Sequence, residues 1–216
     1  MRLGCLGCLV LAVVLVAIGI VVGGGFIFYT SVFALPDTIP KEDWSVLDGG
    51  RAQQKLFEIA LRESGESSRK DPVVFTDKEV NAFLAKHLVE RAGIPVSPII
   101  VRFHPGSVVI QGKTELKPLL RGIPFNYLAD LIPRSAAIEP VWVVLQGTLR
   151  IDRRQGRRER SVLSIEPTGF RIGNLDTGTW FLSWVLGHDL LSWHVPRVIE
   201  RIDLEEGRAV VVTART

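Results

Sequence analysis

Four histidines are the residues of this chain best suited to proton transfer or metal binding, and they stand at positions 87, 104, 188 and 194. His188, Asp189 and His194 come nearest to a metal-binding set, but their spacing matches no usual zinc ligand pattern. His87 and His188 fall on or beside apolar helical stripes, which is typical of histidines packed against other side chains. The sequence therefore predicts no metal site and no cofactor.

The other nucleophiles and acids also form no recognisable catalytic set. Both cysteines, Cys5 and Cys8, lie in an apolar N-terminal run, so the rest of the chain has no thiol and no disulfide. The sequence contains no G-x-S-x-G, H-E-x-x-H, Walker or G-x-G-x-x-G motif. Its acidic residues are scattered over predicted turns and helix surfaces, without a pair spaced for acid–base catalysis. We therefore predict that the protein is not an enzyme.

A basic segment, Arg153–Arg160, concentrates five arginines around a predicted hairpin turn. A basic side chain near an anionic membrane surface contributes about 1 kcal/mol to binding. The residues expected to contact lipid headgroups in this way are Arg153, Arg154, Arg157 and Arg158. The alternative is a turn that is simply solvated. No aromatic residue is interleaved and the net charge is only +3, so the sequence does not predict nucleic-acid binding.

A strongly apolar stretch, residues 177–193, is predicted to form a helix that contains Trp180, Trp184 and Trp193. Trp180 and Trp184 are one helical turn apart and share a face. Tryptophan is favoured in protein cores, around apolar ligands and at membrane interfaces. Three interpretations stay open for this helix: deep burial, the lining of an apolar cavity, or contact with lipid.

The clearest helix start in the chain follows Phe75. Thr76 and Glu79 have the spacing of a capping box, and Phe75 and Val80 have the spacing of a hydrophobic staple. Apolar residues then recur at helical intervals. If this helix and the tryptophan-rich helix enclose a cavity, its predicted lining is Val80, Phe83, Leu84, Trp180, Phe181 and Trp184.

Around these segments, the sequence predicts an α+β domain that covers residues 49–216. One further helix is predicted over residues 50–64 and a short helical piece near residues 125–132. Alternating patterns and turn residues predict strands at 99–103, 108–116, 141–152, 161–166, 170–172, 198–204 and 209–213, with a turn at Thr168-Gly169. The expected architecture is an antiparallel, curved sheet that is built from hairpins and packed by two or three helices.

Two parts of this domain share one order of elements: a helix, a proline, a strand, a glycine turn and a second strand. At an offset of 101 residues, five positions are identical, and Gly106 corresponds to Gly207. A true duplication and two unrelated helix–hairpin units both remain open.

Residues 1–35 are predicted to be a transmembrane anchor. No charged residue occurs from Leu3 through Pro36, and a bilayer core of about 30 Å requires roughly 20 apolar residues in a helix. The apolar region of a signal peptide is typically about 7–15 residues, which is shorter than this run. Cleavage after Ala34 is the alternative. The polar residues 36–48 are predicted to form a stalk.

Charges on the two sides of the anchor predict its orientation. Arg2 precedes the apolar run, and Asp37 begins the acidic and basic residues that follow it. The positive-inside rule then places the N-terminus in the cytoplasm and the domain in the periplasm or outside the cell. This describes a single-pass protein of a bacterial inner membrane. Gly19 and Gly23 have the spacing of a helix-dimer motif, through which two anchors could associate. The alternative is that the spacing arises by chance in a glycine-rich span.

Three short segments carry a resemblance to a known group: the helix start Phe75–Leu84, the segment Gly169–Gly173 and the closing segment Ile202–Arg208. They resemble uncharacterised bacterial single-pass membrane proteins whose extracytoplasmic domain is similar to the tubular lipid-binding (TULIP-like) folds. The resemblance implies a long helix against a curved sheet and an apolar groove for acyl chains. Because this chain is short, any such groove would be small.

Two functions are therefore expected. The first is an anchored extracytoplasmic module that binds membrane lipid or another apolar ligand by desolvating it, without covalent chemistry. The alternative is a structural or interaction protein of the cell envelope, with a solid core and a protein partner in place of a ligand.

Overall fold

The structure is a computed structural model, and it describes residues 3–35, 42–91, 96–115, 139–154, 160–185 and 191–214. Within these ranges, the side chains of residues 3–14, 21, 88–91, 96, 153–154, 160, 181 and 183–185 are outside the description. The predicted helical piece at residues 125–132 also lies outside the described residues, as do Arg157 and Arg158.

The apolar N-terminal run forms one helix, α1, Leu3–Val32. Its segment Leu15–Val32 is long and apolar enough to cross a membrane, and only 6% of that segment is buried. The buried part is the end of the helix. Val32 is 2% exposed and joins a core cluster with residues of the domain. The end of α1 therefore packs as part of the domain.

Two helices follow, each with a capped start. Helix α2, Val46–Glu63, begins where the Ser45 side chain and the Asp48 carboxylate bond reciprocally to the free backbone N–H groups. It therefore begins inside the predicted stalk. Helix α3, Asp77–Arg91, begins with the predicted capping box: Thr76 N–H donates to Glu79 Oε2 at 2.9 Å, and Glu79 N–H donates to Thr76 Oγ1 at 3.3 Å.

A six-stranded antiparallel sheet forms the centre of the domain. The strands are β2 Val96–His104, β3 Ser107–Glu115, β4 Pro140–Arg154, β5 Arg160–Ile172, β6 Leu175–Asp176 and β7 Ser192–Val195. Their order in the sheet is β2–β3–β4–β5–β6, and β7 pairs with the opposite end of β5 from β6. The long β4–β5 hairpin connects the α1 end of the domain to the opposite end.

A second antiparallel sheet has three strands, β1 Val73–Thr76, β8 Ile199–Glu205 and β9 Arg208–Thr213. Their order in the sheet is β1–β9–β8. The two sheets meet at their hairpin turns. Gly106 N–H donates to Leu204 O at 3.2 Å, and Gly207 N–H donates to Phe103 O at 3.0 Å. The fold is thus α+β and antiparallel, as the sequence predicts, but it has two sheets where one was expected.

The predicted turn at Thr168-Gly169 is wrong, because β5 runs through both residues. The register nevertheless shifts at this point: Gln146 pairs with Gly169 and Gly147 with Pro167, so Thr168 is an extra residue on β5. Gly147 packs closely on β5: a Cβ atom there would lie 2.6 Å from Ile165 Cγ2 and 2.7 Å from Glu166 O. The glycines and Pro167 thus accommodate a bulge within a continuous hairpin.

The predicted helix over residues 177–193 is also wrong at its C-terminal end, while its residues 186–190 lie outside the described residues. Helix α4 covers Gly178–Val185, and Trp193 lies in β7, opposite Leu163 of β5. β-branched and aromatic residues favour a strand where an unpaired sheet edge is available. Here β5 offers that edge beyond the short β6.

Candidate functional site

An apolar cavity of about 240 Å³ lies between α2, α3 and the two sheets. All ten residues around it are apolar. Leu56 on α2 is 41% exposed, so the cavity reaches the surface beside this helix. The lining residues are Ala52, Leu56, Phe75, Val80, Phe83, Phe103, Leu149, Ile202, Ala209 and Val211.

Helical and strand periodicity place these side chains on one surface. Ala52 and Leu56 are four residues apart on α2, and Val80 and Phe83 are three apart on α3, so each pair shares a face. The remaining lining residues belong to strands of both sheets. In the three-stranded sheet, they are cross-strand partners or stand two residues apart, so they point to the same face. The cavity therefore lies where the two helices fail to fill the space above the junction of the sheets.

An ion pair joins the two helices beside the cavity. Lys55 Nζ donates to Glu79 Oε1 at 2.6 Å, to Glu79 Oε2 at 2.7 Å and to Val74 O at 2.6 Å. These three acceptors match the three N–H donors of the ammonium group. Glu79 is only 5% exposed, and it also caps α3. All three donors of the ammonium group are therefore used to hold α2 against α3 and β1, and none is free to bind a ligand.

Two polar side chains of α3 hold the outer edge of β2. The Asn81 amide donates to Val101 O at 2.9 Å and accepts from Val101 N–H at 2.6 Å, as a neighbouring strand would. The Asp77 carboxylate accepts from Phe103 N–H at 3.0 Å, and Asp77 N–H donates to Gly207 O. Asp77 thus contacts both hairpins, and α3 is fixed along the sheet edge.

Burial raises the pKa of Asp77 above its ordinary value, because desolvation disfavours the carboxylate. The hydrogen bond from Phe103 N–H and the charges of Arg102 and His104 act against this effect, and Glu206 adds to it. His104 Nδ1 lies 3.2 Å from Glu206 Oε2 on the exposed side of the same turns. These groups surround the turns but do not enter the cavity.

Only some of the residues predicted to line a cavity do so in the structure. Val80 and Phe83 line it, and Leu84 packs against the adjacent core cluster. Trp180 is 60% exposed on α4 and lies apart from the cavity. Helix α4 packs elsewhere because Leu182 is buried in the cluster at the end of α1. The side chains of Phe181 and Trp184 lie outside the described residues.

The sequence did not predict the other residues as part of a cavity lining, although a pattern marks some of them. Ala52 and Leu56 belong to the apolar stripe that predicts α2. Phe103, Leu149, Ile202 and Ala209 come from strands that pair at long range, and alternation alone does not indicate which strands face one cavity.

The described start of the arginine segment lies at the end of β4 that is farther from α1. Arg153 and Arg154 are the last residues of β4, while Glu139, just before that strand, accepts a hydrogen bond from Tyr29 of α1. At about 3.3 Å per residue, β4 separates the two ends by roughly 45 Å along the strand. Headgroup contact by Arg153, Arg154, Arg157 and Arg158 stays a prediction.

No known protein family, curated protein or solved structure matches this chain. Within the residues described, no three His, Cys, Asp or Glu side chains come together as metal ligands would.

Proposed function

We propose that the protein is a membrane-anchored module whose extracytoplasmic domain holds an acyl chain or another small apolar group in the cavity between α2, α3 and the two sheets. The observation that carries this proposal is the lining, in which all ten residues are apolar and the space opens at Leu56. The resemblance to tubular lipid-binding folds points the same way and is part of the proposal.

The size of the cavity limits the ligand. An apolar cavity of roughly 150 Å³ is large enough to bind benzene, whereas sites for drug-sized ligands are about 300–1,000 Å³. At about 240 Å³, the cavity takes part of one acyl chain and not a whole two-chain lipid. Binding would be driven by desolvation, at about 0.8 kcal/mol per buried CH₂.

The anchor in this proposal is α1 retained in the mature protein. Cleavage after Ala34 would remove Val32, which is 2% exposed, from its core cluster with Leu182 and Phe170. Full burial of such a side chain is worth about 1.5–3 kcal/mol. The proposed topology keeps Arg2 in the cytoplasm and the domain in the periplasm or outside the cell.

The full chain, reconstituted in lipid vesicles, tests the proposal with a fatty acid that carries a photoactivatable group at the end of its acyl chain. Crosslinked peptides are then identified by mass spectrometry. We expect crosslinks to α2 and β9 peptides around the cavity, and these should be competed by unlabelled fatty acid. Crosslinks to α1 serve as an internal control for lipid contact.

Ala52→Leu fills the cavity from α2, and Ala209→Leu fills it from β9. Both variants should lose the cavity crosslinks but keep those to α1. Ala60→Leu is the matched control, because Ala60 lies on the same helix as Ala52 but is exposed. The proposal is contradicted if the cavity crosslinks persist in both Ala52→Leu and Ala209→Leu. It is also contradicted if the unmodified chain is crosslinked at α1 but never at the cavity.

A structural or interaction role in the cell envelope is the second candidate. It is favoured by the volume of the cavity, which is below the usual range for ligand sites. It predicts crosslinks to α1 alone and a stable domain without any ligand.

A further inference from the structure

Helix α4 packs against the end of α1, at the level where a membrane-crossing helix leaves the bilayer. Leu182 of α4 and Val32 of α1 are 1% and 2% exposed and share one core cluster. The turn before β6 reaches the same place, since Asn174 N–H donates to Ser31 O at 2.9 Å. This part of the domain is therefore fixed beside the outer end of α1.

The surface of the domain at this level carries exposed aromatic side chains, and the Glu139 carboxylate lies beside them, where it accepts a hydrogen bond from Tyr29. Trp180 is 60% exposed, and its position two residues before the buried Leu182 places it on the opposite side of α4. Helix α4 contains no charged residue. At the end of α1, the ring of Tyr29 lies 4.6 Å from that of Phe33, the residue that follows the helix. Aromatic side chains at the end of a membrane-crossing helix are characteristic of the membrane–water interface.

We infer that α4 is an interfacial helix, which lies in the headgroup region of the bilayer that holds α1 and inserts Trp180 among the lipids. The occupant of this exposed aromatic face is the bilayer itself, because Leu182 and Val32 fix α4 at the end of the helix that the proposal places in the bilayer. The inference rests on the membrane anchoring in the proposed function, but it does not depend on the cavity.

A membrane contact at α4 also orients the domain. Val141 of β4 belongs to the cluster at the end of α1, whereas Leu149 of the same strand lines the cavity. The two residues are roughly 25 Å apart along the strand. With α4 on the bilayer, the Val141 end of β4 is held at the membrane.

Depth-dependent fluorescence quenching tests this inference on the full chain in phosphatidylcholine vesicles. The lipids carry bromine either near the glycerol end or near the terminal methyl of the acyl chains. Because the chain has five tryptophans, one interfacial tryptophan contributes roughly one fifth of the emission. We expect Trp180→Phe to remove a component that the shallow bromines quench more strongly than the deep ones.

Trp193→Phe is the matched control. Trp193 is also exposed, at 46%, but it pairs with Leu163, toward the far end of β5 from α1. This variant should lose a similar share of emission and keep the shallow-quenched component. An unchanged quenched fraction in Trp180→Phe overturns the inference. Flotation of the chain with the vesicles is measured first, since a chain that fails to float contradicts the anchoring and not the role of α4.

Discussion

Gly173, in the turn after β5, packs directly against the carbonyl oxygen of Val32, the last residue of α1. The contact leaves no room for a Cβ atom, which would collide with the carbonyl oxygens of both Val32 and Ser31. Gly173 also has a positive φ of 58°, and its N–H donates to Trp142 O at 2.7 Å. The end of the apolar helix is therefore joined to the sheet through a turn that tolerates only glycine.

Replacing Gly173 by alanine should destabilise the domain and release the end of α1. The positive φ alone costs a residue with a side chain about 1 kcal/mol, and displacing Val32 from its cluster costs about 2 kcal/mol more. Gly65→Ala is the control, because Gly65 has φ 78° but no atom near its added Cβ. Thermal unfolding of both variants in detergent micelles measures the difference. Equal losses of stability would mean that the contact with Val32 contributes nothing.

Local signals in the sequence were sufficient to predict α3 and the two hairpins that turn at Gly106 and Gly207. In each case a capping residue or a glycine with positive φ marks the boundary, and such signals act within a few residues. The same offset of 101 residues relates the two turns in the structure. Gly106 bonds to Leu204 O and Gly207 bonds to Phe103 O, so the two hairpins exchange equivalent hydrogen bonds.

The parts that were missed depend on long-range pairing. Trp193 belongs to an apolar stretch that predicts a helix, yet it lies in β7 because the edge of β5 is open to pairing there. Lys55 and Glu79 show no sequence relationship, although their ion pair fixes α2 to α3. The position of Trp180 is a similar case: its type leaves a core, a cavity and a membrane interface open, and the burial of Leu182 decides which side of α4 faces the core.

Removal of the Lys55 ammonium group should leave the Glu79 carboxylate buried without a counter-charge. Breaking a buried pair from one side costs about 3–5 kcal/mol, and because Lys55 is one-third exposed we expect about 2–3 kcal/mol for Lys55→Met. Lys55→Met combined with Glu79→Gln should recover about 1–2 kcal/mol of this loss, as measured by a double-mutant cycle in thermal unfolding.

The exposed pair of Arg201 and Asp203 provides the comparison for that cycle. Arg201→Met should cost less than about 0.5 kcal/mol, because exposed ion pairs contribute little. Strictly additive losses for Lys55 and Glu79 would show that the two side chains do not stabilise each other.

Asn81→Ala should open the outer edge of β2. Both hydrogen-bonding groups of Val101, a residue that is 6% exposed, are satisfied on that side by the Asn81 amide. Leaving them unpaired costs about 2–3 kcal/mol in total. Hydrogen exchange followed by mass spectrometry should show faster exchange in the peptide that contains Val101. Lys86→Ala, at an exposed position of the same helix, should leave the exchange of β2 unchanged; if it does not, the effect comes from α3 as a whole.

Protonation of Asp77 should stabilise the folded protein. Desolvation raises the folded-state pKa of this carboxyl group above its unfolded value, so the folded state binds its proton more tightly. The stabilisation is fully present below the unfolded pKa and is lost as the pH rises through the folded pKa. Other carboxyl groups shift in the opposite direction, and the Lys78 ammonium, for example, lowers the pKa of Asp43. The contribution of Asp77 therefore has to be measured as a difference between variants.

Asp77→Asn keeps an oxygen that accepts from Phe103 N–H but cannot carry the charge. We expect this variant to be more stable than the unmodified chain near neutral pH, and the advantage should shrink as the pH falls through the folded pKa of Asp77 toward its ordinary value of about 3.9. Thermal unfolding of both proteins in detergent micelles, from about pH 7 down to about pH 3, gives the comparison. Asp77→Ala, which also loses the hydrogen bond to Phe103 N–H, should be less stable than Asp77→Asn at every pH by about 1 kcal/mol or more. A stability difference between Asp77→Asn and the unmodified chain that does not vary with pH would rule out the burial of a charged Asp77 as its cause.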